Sequence, residues 1–79
     1  MKTFYFIGGP IQGKADEFFS RLAQIGGPPP SWTIYPHAAK DGKALHLVQA
    51  ASQQEILDHL KQFVDIYERT EIVEVVQRP

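Results

Sequence analysis

The sequence contains no cysteine, which excludes a disulfide framework, a thiolate zinc site and a cysteine nucleophile, and makes the cytoplasm the expected compartment. An excess of charge of one sign is also missing. Eight Lys and Arg stand against nine Asp and Glu, for a formal net charge of −1. That balance builds in no attraction to nucleic acid or to an anionic membrane. Long apolar runs are absent too. The opening Phe4-Tyr5-Phe6-Ile7 stops at Gly8-Gly9, far short of the roughly 20 residues of a membrane span and of a signal-peptide core. At 79 residues the chain is expected to form one domain, residues 1–79. A domain this small buries only about 60–65% of the surface its unfolded chain exposes, so pairing with a second copy would reinforce a thin core.

What is present is an ordinary globular composition, 43% hydrophobic and 22% charged, with a pattern that changes period along the chain. Residues 1–7 alternate, with Phe4 and Phe6 on one face and Thr3, Tyr5 and Ile7 on the other. Both faces are apolar, as in a central strand, and Gly8-Gly9-Pro10 is expected to end it. Ala15, Phe18, Phe19, Leu22 and Ala23 then fall at helical spacing, with Asp16 and Glu17 in the first turn and Gly26-Gly27 before Pro28-Pro29-Pro30. A helix over about residues 14–25 follows. Residues 32–37 and 44–50 read as strands joined through Asp41-Gly42, a dipeptide suited to a two-residue type I′ turn. That turn would set Ala39 opposite Ala44 and His37 opposite His46. One face of the hairpin would then show Thr33, Tyr35, His37, His46, Val48 and Ala50. The other, with Trp32, Ile34, Pro36, Leu45, Leu47 and Gln49, would meet the core. Pro36 lacks an N–H and marks the first of these strands as an edge. Ser52 and Glu55 form a capping-box pattern ahead of Ile56, Leu60, Phe63, Val64 and Tyr67, a helix expected to reach about residue 68. Residues 70–77 read as a closing strand.

The order β-α-β-β-α-β is that of an α+β, ferredoxin-like domain: a four-stranded antiparallel sheet with both helices on one face. The other face stays apolar, and an uncovered apolar sheet calls for a partner, most simply a second copy about a two-fold axis. A homodimer, arranged as a dimeric α/β barrel, is therefore expected.

Several motifs point toward chemistry. Gly8-Gly9-Pro10-Ile11-Gln12-Gly13-Lys14 fits the phosphate-loop spacing, but Ala15 follows in place of the magnesium-binding hydroxyl, and the chain is too short for a nucleotide hydrolase. Ordinary punctuation of a strand-to-helix turn explains it better. His37 and His46, if paired across the hairpin, would be two ligands without a nearby carboxylate, below the three of a catalytic zinc site. No metal and no cofactor is expected. His59 is read onto the polar side of the second helix. RNA binding is disfavoured because the third strand, Ala44-Leu45-His46-Leu47-Val48, carries no aromatic residue to stack on bases. The open face supplies the candidate site instead: Tyr5, Tyr35, His37, His46 and Val48 as ligand-binding residues, with His37, His46 and Tyr35 as candidate catalytic groups. Two imidazoles side by side would titrate as a coupled pair, with His59 titrating alone.

The segments Gly26-Gly27-Pro28-Pro29-Pro30, His37-Ala38-Ala39 before Asp41-Gly42, and Leu47-Val48-Gln49-Ala50 resemble an uncharacterised family of short bacterial ferredoxin-like domains. The chain departs from that pattern at Pro36, where an aromatic residue commonly precedes the histidine, and by one added residue before Asp41. The resemblance implies a place among the dimeric α/β-barrel proteins and a central cleft between two sheets. It implies no established activity. Two functions follow. The preferred one is a non-catalytic domain binding a small organic ligand or a protein partner through the open face. The alternative is a cofactor-independent enzyme, monooxygenase- or isomerase-like, that uses a histidine base on a small metabolite.

Overall fold

The computed structural model describes residues 1–36 and 42–76. The elements are β1 (Lys2–Pro10), α1 (Ala15–Gln24), β2 (Trp32–Pro36), β3 (Ala44–Ala50), α2 (Gln53–Leu60), a single 3-10 turn (Lys61–Phe63), β4 (Tyr67–Arg69) and β5 (Val73–Val75). The sheet is antiparallel, in the order β2-β3-β1-β4, with β5 on the same side of β1 as β4. This α+β architecture is compatible with a ferredoxin-like fold. Among the described residues no helix is long and apolar enough to cross a membrane.

β1 is central, as its two apolar faces suggest. Phe4 and Phe6 face the helices and are buried, while Tyr5 on the other face is 36% exposed. The strand does not stop at Gly8-Gly9 but runs through them to Pro10. The reason is close approach: a Cβ on Gly8 would overlap the Tyr67 hydroxyl, and one on Gly9 would overlap the Gly42 carbonyl oxygen. These glycines let β1 pass between its neighbours.

The hairpin differs from expectation in register. Ile34, not His37, faces His46, and Pro36 faces Ala44, a slip of three positions. The described pairing reaches Pro36 and Ala44, in a register other than the one a two-residue turn at Asp41-Gly42 would set. Residues 37–41 lie outside the described residues, and Gly42 keeps the positive φ, 70°, expected of it. An odd slip exchanges faces. Trp32 and Ile34 meet the core as expected, but beside His46 and Val48 rather than Leu45 and Leu47. β2 is an edge strand, in keeping with Pro36.

The second helix is shorter than its apolar spacing suggests. α2 ends at Leu60, Phe63 closes the 3-10 turn, and Tyr67 belongs to a strand. At its start Ser52 makes no side-chain cap, whereas the Glu55 carboxylate reaches back to accept from the Ala51 N–H. The capping box does not form: its second bond would come from the Ser52 N–H, and Glu55 takes the N–H of the residue before the cap instead. Ile56 and Leu60 join Phe4, Phe6, Val48, Ala50 and Ile72 in the core cluster.

The closing strand is broken between β4 and β5, where Thr70 makes a bulge. Ile7 O accepts from the Thr70 N–H at 2.8 Å, but the Ile7 N–H donates to Thr70 Oγ1, at 2.9 Å, rather than to backbone. Across this point the register against β1 shifts by one: Gly8 faces Arg69, yet Tyr5 faces Val73. Ile72 is thereby turned into the core and Val73 and Val75 onto the open face. Thr70→Val, which keeps the shape and removes the acceptor, is expected to cost about 1 kcal/mol, and Gly9→Ala about 1–3 kcal/mol through overlap with the Gly42 backbone. Urea unfolding of the two variants, with Gly9→Ala the more destabilised, checks both expectations.

Candidate functional site

The residues expected to share one surface are divided between the two faces of the sheet. Tyr35, 52% exposed, and Tyr5 lie on the open face with Leu47. His46 and Val48 lie on the helix face, 7% and 0% exposed. His37 is outside the described residues. The reversal at His46 follows directly from the hairpin register, and the side-by-side pairing of His37 with His46 falls with it, because the strand position opposite His46 is occupied by Ile34.

His46 has a defined chemical setting. Its ring stacks flat on Phe6, the residue directly opposite on β1, with centroids 4.5 Å apart and planes 7° from parallel. Trp32 meets it edge-on at 5.9 Å. Nδ1 lies 3.0 Å from the Ala44 carbonyl oxygen, which can only accept, so Nδ1 carries the proton and Nε2 presents a lone pair. The Tyr67 hydroxyl is 3.5 Å from Nε2, long for an O–H···N hydrogen bond. Burial lowers the His46 pKa below 6.5 against a small opposing effect of the Ala44 bond, and burial raises that of Tyr67. Both groups are thus held neutral around pH 7.

His46 lines a cavity of about 30 Å³ with Phe18 and Leu22 of α1, Pro28 ahead of β2, Trp32 and Ile34 of β2, His59, Leu60 and Phe63 of the α2 segment, and Tyr67 of β4. No carboxylate lines it. The space admits about one water molecule and no metabolite while α1 is seated. His59, read as a solvent-side residue, is half-buried against Trp32 at 4.9 Å, and its pKa too is lowered by burial. Of the residues that line this cavity, sequence reasoning assigned only His46 to a site. The signal for Tyr67 was hidden because it continues the helical spacing of Ile56, Leu60 and Phe63.

α1 covers this cavity with few attachments. It buries no residue of its own. Phe18 packs at 5.1 Å on Phe63 and 5.3 Å on Tyr67. The other attachment is polar: the Arg21 guanidinium donates to both Asp65 carboxylate oxygens, at 2.7 and 2.9 Å, to the Gln62 carbonyl at 3.0 Å, and to Glu17 at 2.9 Å. The Arg21 bonds hold the Asp65 carboxyl at a pKa of about 2. At the N-terminus of α1 the phosphate-loop spacing has no matching geometry. Gly8 to Pro10 are strand, and Lys14 Nζ lies 4.0 Å from the Glu17 carboxylate on its own helix.

Compared with known proteins, the chain matches no family model, no curated protein and no solved structure.

The burial of neutral His46 sets the sign of a pH dependence. Its folded pKa is depressed, so its stabilising contribution is complete above pH 6.5, the unfolded value, and is lost as pH falls from there toward the folded pKa. His59 acts in the same direction. Urea unfolding on either side of pH 6.5 is expected to show stability falling on acidification, with a shallower fall in His46→Phe, which keeps the Phe6 stack.

Proposed function

We propose that this protein is a non-catalytic, ferredoxin-like binding domain whose working surface is the open face of the sheet, and that the occupant of that face is a second copy of the chain. The observation that carries the reading is the chemistry of the face. Tyr5, Ile7, Tyr35, Leu45, Leu47, Val73 and Val75 lie on it, Tyr5, Tyr35, Leu47 and Val75 among them exposed, with Thr3, Thr33 and Gln49 as the polar members. Among the described residues the charged side chains of this face stand together at its β4 end, where Lys43 and Glu68 flank Gly9 and pair with each other and Glu71 precedes β5 by two positions. Two such faces can meet about a two-fold axis through Tyr5, Leu47 and Val75 with those charges left at the rim, the condition for a self-complementary interface.

The pairing of two sheets through these faces is the dimeric α/β-barrel arrangement, and a small organic ligand would sit between the tyrosines of the two copies. The enzyme alternative, a histidine base acting beside Tyr35, has less support. The imidazole of His46 is on the other face, beside a cavity the size of one water molecule.

Sedimentation equilibrium at micromolar concentration tests the reading. The expected mass is twice the 8.9 kDa of the chain, and Leu47→Lys, at an exposed position in the middle of the face, should give a folded monomer. A wild-type chain that stays at 8.9 kDa overturns the proposal.

A further inference from the structure

We propose that α1 is a hinged cover over a second binding site, on the helix face of the sheet, and that this site takes a small phenol whose hydroxyl donates to His46 Nε2. This site is separate from the open face and does not depend on what occupies that face.

The acceptor is the first part of the argument. Nδ1 is committed to the Ala44 carbonyl, so Nε2 is left as an acceptor on a ring that lines the cavity together with Tyr67. The donor it has here, the Tyr67 hydroxyl, is at 3.5 Å, a long and therefore weak bond that a better-placed donor can replace. An acceptor in an apolar wall favours a ligand that brings a donor and disfavours one that does not. The walls are the second part. Phe18, Trp32, Phe63 and Tyr67 enclose the space with aromatic rings, which suit a flat apolar body. An aromatic ring with one hydroxyl satisfies both requirements.

The third part is access. The seated cavity of about 30 Å³ is far below the 150 Å³ or so known to accept benzene, so an aromatic guest requires α1 to lift. The chain is built for that movement. α1 contributes no buried residue. It is flanked by Gly13, at φ 86°, and Gly26, at φ 88°, and a Cβ built on either would meet nothing within 4 Å. Its polar fastening, Arg21 on Asp65 and Gln62, lies at the surface and crosses to the segment after α2. Helices with few buried contacts and exposed fastenings open at low cost.

The test uses phenol and toluene as probes on the full chain, followed by NMR signals of the His46 imidazole and by those of Trp32, the only tryptophan. Phenol is expected to shift both saturably and to bind at least tenfold more tightly than toluene, which has similar size and no donor. Asp65→Asn weakens the fastening at an exposed position, raises the open fraction and should tighten phenol binding by the same factor. His46→Phe should abolish the preference for phenol over toluene. The proposal is overturned if phenol produces no saturable shift at His46 and Trp32, if phenol and toluene bind equally to the wild-type chain, or if Asp65→Asn leaves phenol affinity unchanged. Should His46→Phe fail to fold, the toluene comparison and Asp65→Asn still decide the matter.

Discussion

The cross-strand pair of Phe6 and His46 is the contact from which the rest of the structure follows. The two residues face each other on β1 and β3, and their rings stack at 4.5 Å on the helix side of the sheet. Burying Phe6 completely is worth about 1.5–3 kcal/mol, and an aromatic pair adds about 0.5–1.5 kcal/mol. Burying an imidazole without partners would cost a comparable amount, about 1–3 kcal/mol. The Nδ1 bond to the Ala44 carbonyl removes most of that cost by using an acceptor on the same strand. With Phe6 and His46 turned inward, alternation dictates that Tyr5, Ile7, Leu45 and Leu47 turn outward, and that Ile34 on β2 faces the core beside His46.

Much of this was legible in the residues themselves. β3 begins at Ala44 and ends at Ala50, as its alternation implies, and α1 lies within a residue of its periodic stripe. The division of Phe4 and Phe6 from Tyr5 was also readable, though not which pair turned inward. Two features misled for identifiable reasons. Asp41-Gly42 carries a strong local turn signal, but register is decided by which residues fill the core, and Trp32 with Ile34 pairs better against Val48 and His46. The three-position slip then moved His46 from the presumed site to the interior. At the other end of the chain, Phe63 and Tyr67 satisfy helical spacing while belonging to a 3-10 turn and a strand. Short apolar runs do not distinguish these outcomes by period alone.

Stability is unevenly distributed as a result. The core cluster draws on β1, β3, α2 and Ile72, with Trp32 and Tyr67 against it and nothing from α1. α1 is amphipathic, yet Phe19 is left exposed while Phe18 alone packs on Phe63 and Tyr67. Its Arg21–Glu17 ion pair adds little net stability in water, because exposed pairs are screened, whereas the Arg21–Asp65 contact, with both carboxylate oxygens engaged, has the geometry to act as a fastening. The sheet and α2 thus hold the fold, and α1 rests on a finished structure. This is why the cavity under α1 can be considered separately from the sheet's open face.

The bulge at Thr70 shows which face the closing strand serves. Had the register of β4 continued unbroken, Val73 would have faced Phe4 on the helix side, and Ile72 and Glu74 would have stood on the open face. The shift of one position turns Ile72 inward, sends Val73 and Val75 outward, and moves Glu74 to the helix side near Lys2, at 3.9 Å. An unbroken strand would thus have put the Glu74 carboxylate beside Thr3, in the apolar part of the open face. The bulge exchanges Ile72 and Glu74 at these positions for Val73 and Val75, next to Tyr5 and Thr3. Leaving a sheet bare to water gains nothing from that exchange. Covering it with another apolar surface does, since each buried valine then contributes on the order of 1.5 kcal/mol or more. The same backbone device that completes the core with Ile72 therefore also sets Val73 and Val75 beside Tyr5 and Thr3 on the outer face, and leaves the carboxylates of that face, Glu68 and Glu71, at its β4 end.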